Sequence, residues 1–157
     1  VTRTYVLTIT REGSDSGQQP VITGRTYAVS NIITKVEPGT TVTELIQGLA
    51  VQNGTAAVYT AAGAAKTAGP VGTGVIVRLY SGTAVTASYP VVIYGDVNGD
   101  GMVAPVDALR IQKHIIGLTN LSGMQLLAAD TNRDGQVQPV DALRVLKYCI
   151  EMIKSLQ

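Results

Sequence analysis

A duplication constrains this chain more than any other feature. Asp96–Thr119 and Asp130–Ile153 align with an offset of 34 residues. The first copy opens DVNGDGMVAPVDALRIQKHII and the second DTNRDGQVQPVDALRVLKYCI. A repeat of this length is one supersecondary unit copied, so the residues kept in both copies report a shared task. Six of the seven acids after Tyr94 are aspartates, in two clusters of three with identical spacing.

Each copy begins with a twelve-residue loop. Its positions 1, 3, 5 and 12 are Asp96, Asn98, Asp100 and Asp107 in the first copy. In the second they are Asp130, Asn132, Asp134 and Asp141. Gly101 and Gly135 hold position 6, where the loop must turn sharply. This is the oxygen-donor spacing of an EF-hand calcium loop. Position 7 adds a backbone carbonyl, from Met102 and Gln136. The expected cofactor is therefore Ca²⁺, two ions in all. Gln138 at position 9 has an oxygen to offer, and Ala104 has only its backbone.

Two features depart from an EF-hand. Position 12 is Asp and not the longer Glu, and no helix of EF-hand type enters the loops. SYPVVIYG, before Asp96, is strand-like, and Ser122–Ala129 is a short helical link between the copies. Each copy is thus a loop plus an exiting helix. Residues 95–157 resemble the dockerin module of cellulosome-type assemblies, on the paired loops, the Gly95–Gly101 opening and the repeated VDALR. Such a module is small, all-α and built from two F-hand loop–helix repeats.

Pro105 and Pro139 mark the starts of the exiting helices, since proline is tolerated in a first turn. Helical spacing places Ala108, Ile111 and Ile115 on the side of the inward-turned Asp107, with Ala142, Val145 and Cys149 as their mates. These are the expected core, with Cys149 as an apolar filler. Another face carries Val106, Leu109, Arg110, Lys113 and Gly117 beside Pro105. Its copy carries Val140, Leu143, Arg144, Lys147 and Glu151 beside Pro139, with Leu146 in place of Gln112. Aliphatic groups beside bases at matching positions suit a protein interface. The resemblance makes this the cohesin-binding face. Hydroxyl residues are common at positions 10 and 11 of dockerins, so Pro-Val here implies more apolar recognition. The repetition implies pseudo-twofold symmetry, with either helix able to lead. His114 is paired in the repeat with Tyr148 and so reads as a surface residue.

The chain before Asp96 has a different character, rich in Thr, Val, Gly and Ala. Thr2–Arg11 alternates with Tyr5, Leu7 and Ile9 on one face, and residues 1–23 read as a strand and linker. Residues 24–94 read as a β-rich, sandwich-like module. Strands are expected at Arg25–Ile33, Ala56–Thr60, Val75–Tyr80 and Ser88–Tyr94, with Pro90 at an edge. Thr41-Val-Thr-Glu44 fits a capping box opening a helix from Val42 to Ala50. By position and length this part resembles the X modules that precede some dockerins. The expected fold is therefore two modules, β-rich then all-α.

Composition removes other classes. The 45% hydrophobic content is too high for a disordered chain, and a net charge of +1 lacks the basic excess of a nucleic-acid binder. No run reaches the roughly 18 apolar residues of a membrane span. The first part shows no paired carboxylates, histidine or phosphate loop, and most C-terminal acids are assigned to metal. The reading is a non-catalytic, calcium-dependent interaction module, secreted and extracellular. Its partner would be a cohesin of a scaffoldin or cell-surface anchoring protein. The X-like part would stabilise the dockerin. The alternative is a calcium-stabilised stalk segment of a bacterial surface adhesin. Chain start and composition suggest a piece of a longer protein.

Overall fold

The computed structural model describes residues 18–156. The strand expected at 2–11 lies outside them. Seven short strands and one helix come first: β1 Val21–Gly24, β2 Ala28–Val29, β3 Ile33–Thr34, α1 Val42–Gln47, β4 Leu49–Gln52, β5 Thr55–Tyr59, β6 Ile76–Ser81 and β7 Ala84–Pro90. Three helices follow: α2 Pro105–Ile115, α3 Gly123–Ala129 and α4 Pro139–Cys149. The chain is thus a strand-rich part with one short helix, then a helical part.

The strands form three small antiparallel sheets, ordered β1-β4, β2-β3 and β5-β6-β7. β1 sits just ahead of the span read as the β-rich module and pairs with β4, Ile22 opposite Val51. Ile22 is fully buried there. The single strand expected over 25–33 is instead two pieces, β2 and β3, folded back on each other with Val29 opposite Ile33. β7 starts earlier than its alternation suggested and ends at Pro90, opposite Ile76. It is an edge strand, which suits a residue that has no amide hydrogen to give a second neighbour.

α1 opens as its sequence dictates. The amide of Glu44 donates to Thr41 Oγ1 at 3.3 Å, and the amide of Thr41 donates to Glu44 Oε2 at 2.8 Å. The helix stops at Gly48, not Ala50, and Leu49–Gln52 becomes β4. Gly48 is backed by the Tyr27 ring, leaving no room for a side chain, and Leu49 turns into the core opposite Gly24.

Two cores result. Among the described residues the first holds fifteen buried side chains, including Leu45, Val77, Leu79 and Tyr89. The second holds eight, three of them alanines, around Ile111 and Val145. At roughly 1.5–3 kcal/mol per large buried aliphatic, the helical part draws much the smaller stabilisation from burial.

The segment after Pro90 joins the two. Val91 donates its amide to Val75 O at 2.7 Å, and Val92 to Ile33 O at 2.9 Å. Gly95 then donates to Ala128 O, at the end of α3, at 2.8 Å. Five residues are thus tied to both parts, and no slack linker separates them.

Candidate functional site

The two loops lie at the N-terminal ends of α2 and α4. Proline fits each first turn, and each N-terminal region is completed by the loop's last aspartate. Asp107 Oδ2 accepts the amide of Ala104 at 3.0 Å, and Asp141 Oδ2 that of Gln138 at 2.8 Å. A carboxylate there also meets the positive end of the helix dipole. The other oxygen reaches across its loop. Asp107 Oδ1 accepts the amides of Val97 (3.0 Å) and Asn98 (2.9 Å). Asp141 Oδ1 accepts those of Thr131 (2.9 Å) and Asn132 (3.2 Å). Both carboxylates are buried.

Earlier positions repeat the same bonds. Gly101 donates to Asp96 Oδ2 at 3.1 Å, as Gly135 does to Asp130 Oδ2 at 2.8 Å. Met102 donates to Asp100 Oδ1 at 2.8 Å, and Gln136 to Asp134 Oδ1 at 2.9 Å. Asn98 and Asn132 each give Nδ2 to the next aspartate at 2.7 Å. Gly101 (φ +89°) and Gly135 (φ +86°) take the left-handed turn that the spacing requires.

Among the described residues no three of the His, Cys, Asp and Glu side chains are clustered so as to hold an ion as they stand. The loop carboxylates are spread over backbone amides instead. Their chemistry fits a hard cation nonetheless. Every side-chain donor is oxygen, and each loop carries three carboxylates. Among the described residues the one salt bridge is Lys154–Glu151, far out on the surface, so none of their bases is ion-paired with a loop carboxylate. Burial pushes Asp96 up to about 6, against the amides of Thr73, Gly99 and Gly101 that favour its anion; Asp107 beside it adds to the rise. Burial raises Asp107 as well, again opposed by backbone amides. Such crowded anions are what a dication relieves.

The copies differ in surroundings. Asp96 is fully buried, and Asp130 is half-buried. The extra cover comes from the β-rich part. Thr73 donates its amide to Asp96 Oδ2 at 2.9 Å, and Gly39 donates to Gly101 O at 2.7 Å. Sequence spacing carried no signal of either contact.

The expected docking face is exposed. Val106 and Leu109 are 45% and 47% exposed, and Val140 and Leu143 are 41% and 49%. Pro105, Arg110, Lys113, Gly117, Pro139 and Glu151 are also exposed. Arg144, Lys147 and Leu146 are half-buried, and Leu146 packs against the second core. Beyond the helix ends lie aliphatics outside the face that helical spacing marks. Ile116 and Ile150 are repeat mates, 68% and 66% exposed, as are Leu118 and Met152 at 70% and 66%. The signal was present in the alignment, past the last helical turn.

One expected core position is corrected. Ile111, Ala108, Ala142 and Val145 are buried, but Ile115 is 37% exposed. It ends α2, and the link that follows closes over His114 instead. Leu121 donates its amide to His114 Nδ1 at 3.3 Å. Cys149 remains partly buried against the core, its thiol 3.7 Å from Val103 O.

The family model for the dockerin type I domain matches residues 94–149. No curated protein matches. Two solved structures are similar, both described as the third cohesin ScaC in complex with the ScaB dockerin from Acetivibrio cellulolyticus, displaying a type I interaction. One, with an IN-to-SI mutation in the N-terminal helix, is 35% identical over 41% of this chain and 90% of that chain, with a TM-score of 0.39. The other, mutated in the C-terminal helix, is 36% identical over 39% and 86%, with a TM-score of 0.37. Residues 94–149 are a dockerin type I domain, and through them the chain belongs to the dockerin family.

Proposed function

We propose that residues 95–157 bind a calcium ion in each loop and, so ordered, dock on a cohesin. The donor sets are Asp96, Asn98, Asp100, Asp107 and the Met102 carbonyl, then Asp130, Asn132, Asp134, Asp141 and the Gln136 carbonyl. Calcium supplies the positive charge that these carboxylates lack. Two ions would take the whole chain from +1 to +5. The bases of the docking face are then no longer offset by the loop aspartates. Binding also stabilises the fold, by about 2.7 kcal/mol per site at 100 times the Kd. A small core with three alanines makes that contribution matter.

The observation that carries this reading is the matched exposure of four aliphatics, Val106, Leu109, Val140 and Leu143, on two copied helices. Each pair has bases beside it. The partner is a cohesin of a scaffoldin or cell-surface anchoring protein, met outside the cell. No helix among the described residues is long and apolar enough to cross a membrane. The β-rich part acts as an X module, holding the dockerin rigid.

Calorimetry against cohesins of every type, in calcium and in chelator, tests this. Binding in calcium that chelator abolishes is expected. Failure to bind any cohesin in calcium would favour the calcium-stabilised stalk segment. The double variant Asp100→Ala/Asp134→Ala should lose its response to chelator. A far-UV spectrum and chelator response equal to the parent's would remove the metal assignment.

A further inference from the structure

The duplication provides an internal control. The two loops share their aspartate and asparagine donors and most inner hydrogen bonds. Within the second, the Thr131 hydroxyl adds a bond to Asp141 Oδ1 at 3.0 Å and Gln138 one to Gln136 at 3.0 Å. The larger difference lies in what surrounds each loop. The first loop is clasped by the β-rich part. Thr73 gives its amide to Asp96 Oδ2 at 2.9 Å. That amide is held in place, because Thr73 Oγ1 accepts from the amide of Ile93 at 3.1 Å and donates to its carbonyl at 3.2 Å. Gly72 lies so close to Gly99 that an added Cβ would overlap the Gly99 carbonyl. A Cβ on Gly101 would lie 2.5 Å from Val71 O, whereas one on Gly135 would meet nothing within 4 Å. Asp130 takes its hydrogen bonds from Gly135 and Asp134, both in its own loop, among the described residues.

We propose that Thr73 and Gly72 are positioning residues for the first calcium loop. That loop's affinity is then a property of both modules, while the second loop's belongs to the dockerin alone, and the first is the tighter site. The physical ground is preorganisation. A carboxylate whose second oxygen is held by a fixed donor pays less ordering cost when its first oxygen meets a metal. Outer-shell partners of this kind are worth about 10- to 100-fold in metal affinity. The inference rests on the calcium reading above and adds an order to it: the first loop fills before the second.

The test is a calcium titration of the intact chain, following the backbone amide resonances of Thr73, Gly101 and Gly135. Thr73 and Gly101 should shift together at one calcium concentration and Gly135 at a higher one. Gly72→Ala should move the first transition to roughly 10- to 100-fold more calcium, leaving that of Gly135 in place. A Thr73 amide that stays still while Gly101 responds would overturn the proposal, as would Gly101 and Gly135 responding together. If the variant does not fold, the parent chain's three resonances still decide. If none of the three responds, the calcium reading itself has failed.

Discussion

The backbone amide of Thr73 donates a 2.9 Å hydrogen bond to the carboxylate of Asp96, across 23 residues and the boundary between two modules. Asp96 opens the first loop of the dockerin, and Thr73 belongs to the β-rich part. The bond makes the junction part of the site. Its repeat mate, Asp130, has no such partner among the described residues.

The two loop glycines should therefore respond unequally to the same change. Both hold positive φ, +89° and +86°, so alanine strains either by about 1 kcal/mol or more. Only Gly101→Ala also drives a Cβ to 2.5 Å from Val71 O. It should cost a further 1–3 kcal/mol. Thermal unfolding of the two variants in calcium would measure this. Equal midpoints would mean that the clasp yields without cost.

Ile111 and Ile115 separate the core from its edge. Ile111→Ala empties a fully buried position and should cost about 2–5 kcal/mol. Ile115, 37% exposed at the end of α2, should cost about 1 kcal/mol or less on the same change. Denaturant melts of the two variants give both values directly.

Leu109 and Leu143 are about half exposed and contribute little to the fold. Leu109→Asp/Leu143→Asp should leave the melting temperature in calcium within a few degrees of the parent's. Against a cohesin it should lose about 2–4 kcal/mol, roughly 30- to 1,000-fold in Kd. Either single variant should lose less, because the other helix can lead. Calorimetry on the three variants would show whether the loss is that unequal.

Tyr89 is 2% exposed, and its hydroxyl has no hydrogen-bond partner among the described residues. Burial alone raises its pKa. An unpaired buried hydroxyl costs about 1–3 kcal/mol. Tyr89→Phe should thus be neutral or stabilising by about 1 kcal/mol, against the usual loss for a core substitution. A clear drop in unfolding free energy would reveal a partner for the hydroxyl.

Cys149 is partly buried, and that burial, with Asp107 nearby, lifts the thiol above its ordinary range. The thiolate is the reactive form. Alkylation at neutral pH should be several-fold slower than for free cysteine, and a mass-spectrometric time course would read it. A rate matching the free amino acid would place the sulfur at the surface.

Much of the site was legible before any fold was known. Oxygen donors at fixed spacing, a glycine at the turn and a proline at the helix start are local requirements, so Asp96–Asp107 and Asp130–Asp141 declare themselves. The capping box at Thr41–Glu44 is legible for the same reason. The end of α1 was less so: Leu49 and Ala50 continue the helical spacing, but pairing with β1 draws them into a strand. Ile115 kept the core spacing too, and lost its cover because the next segment packs on His114. The unequal standing of two nearly identical loops was invisible in the chain itself. It depends on which surface lies against each loop, and contacts between residues 23 positions apart are set by the packing of one module on the other. Sequence alone determined the dockerin repeats and the spacing of their loop aspartates. Tertiary structure alone decided that the first loop is shared with its neighbour, because only packing brings Gly72 and Thr73 against it.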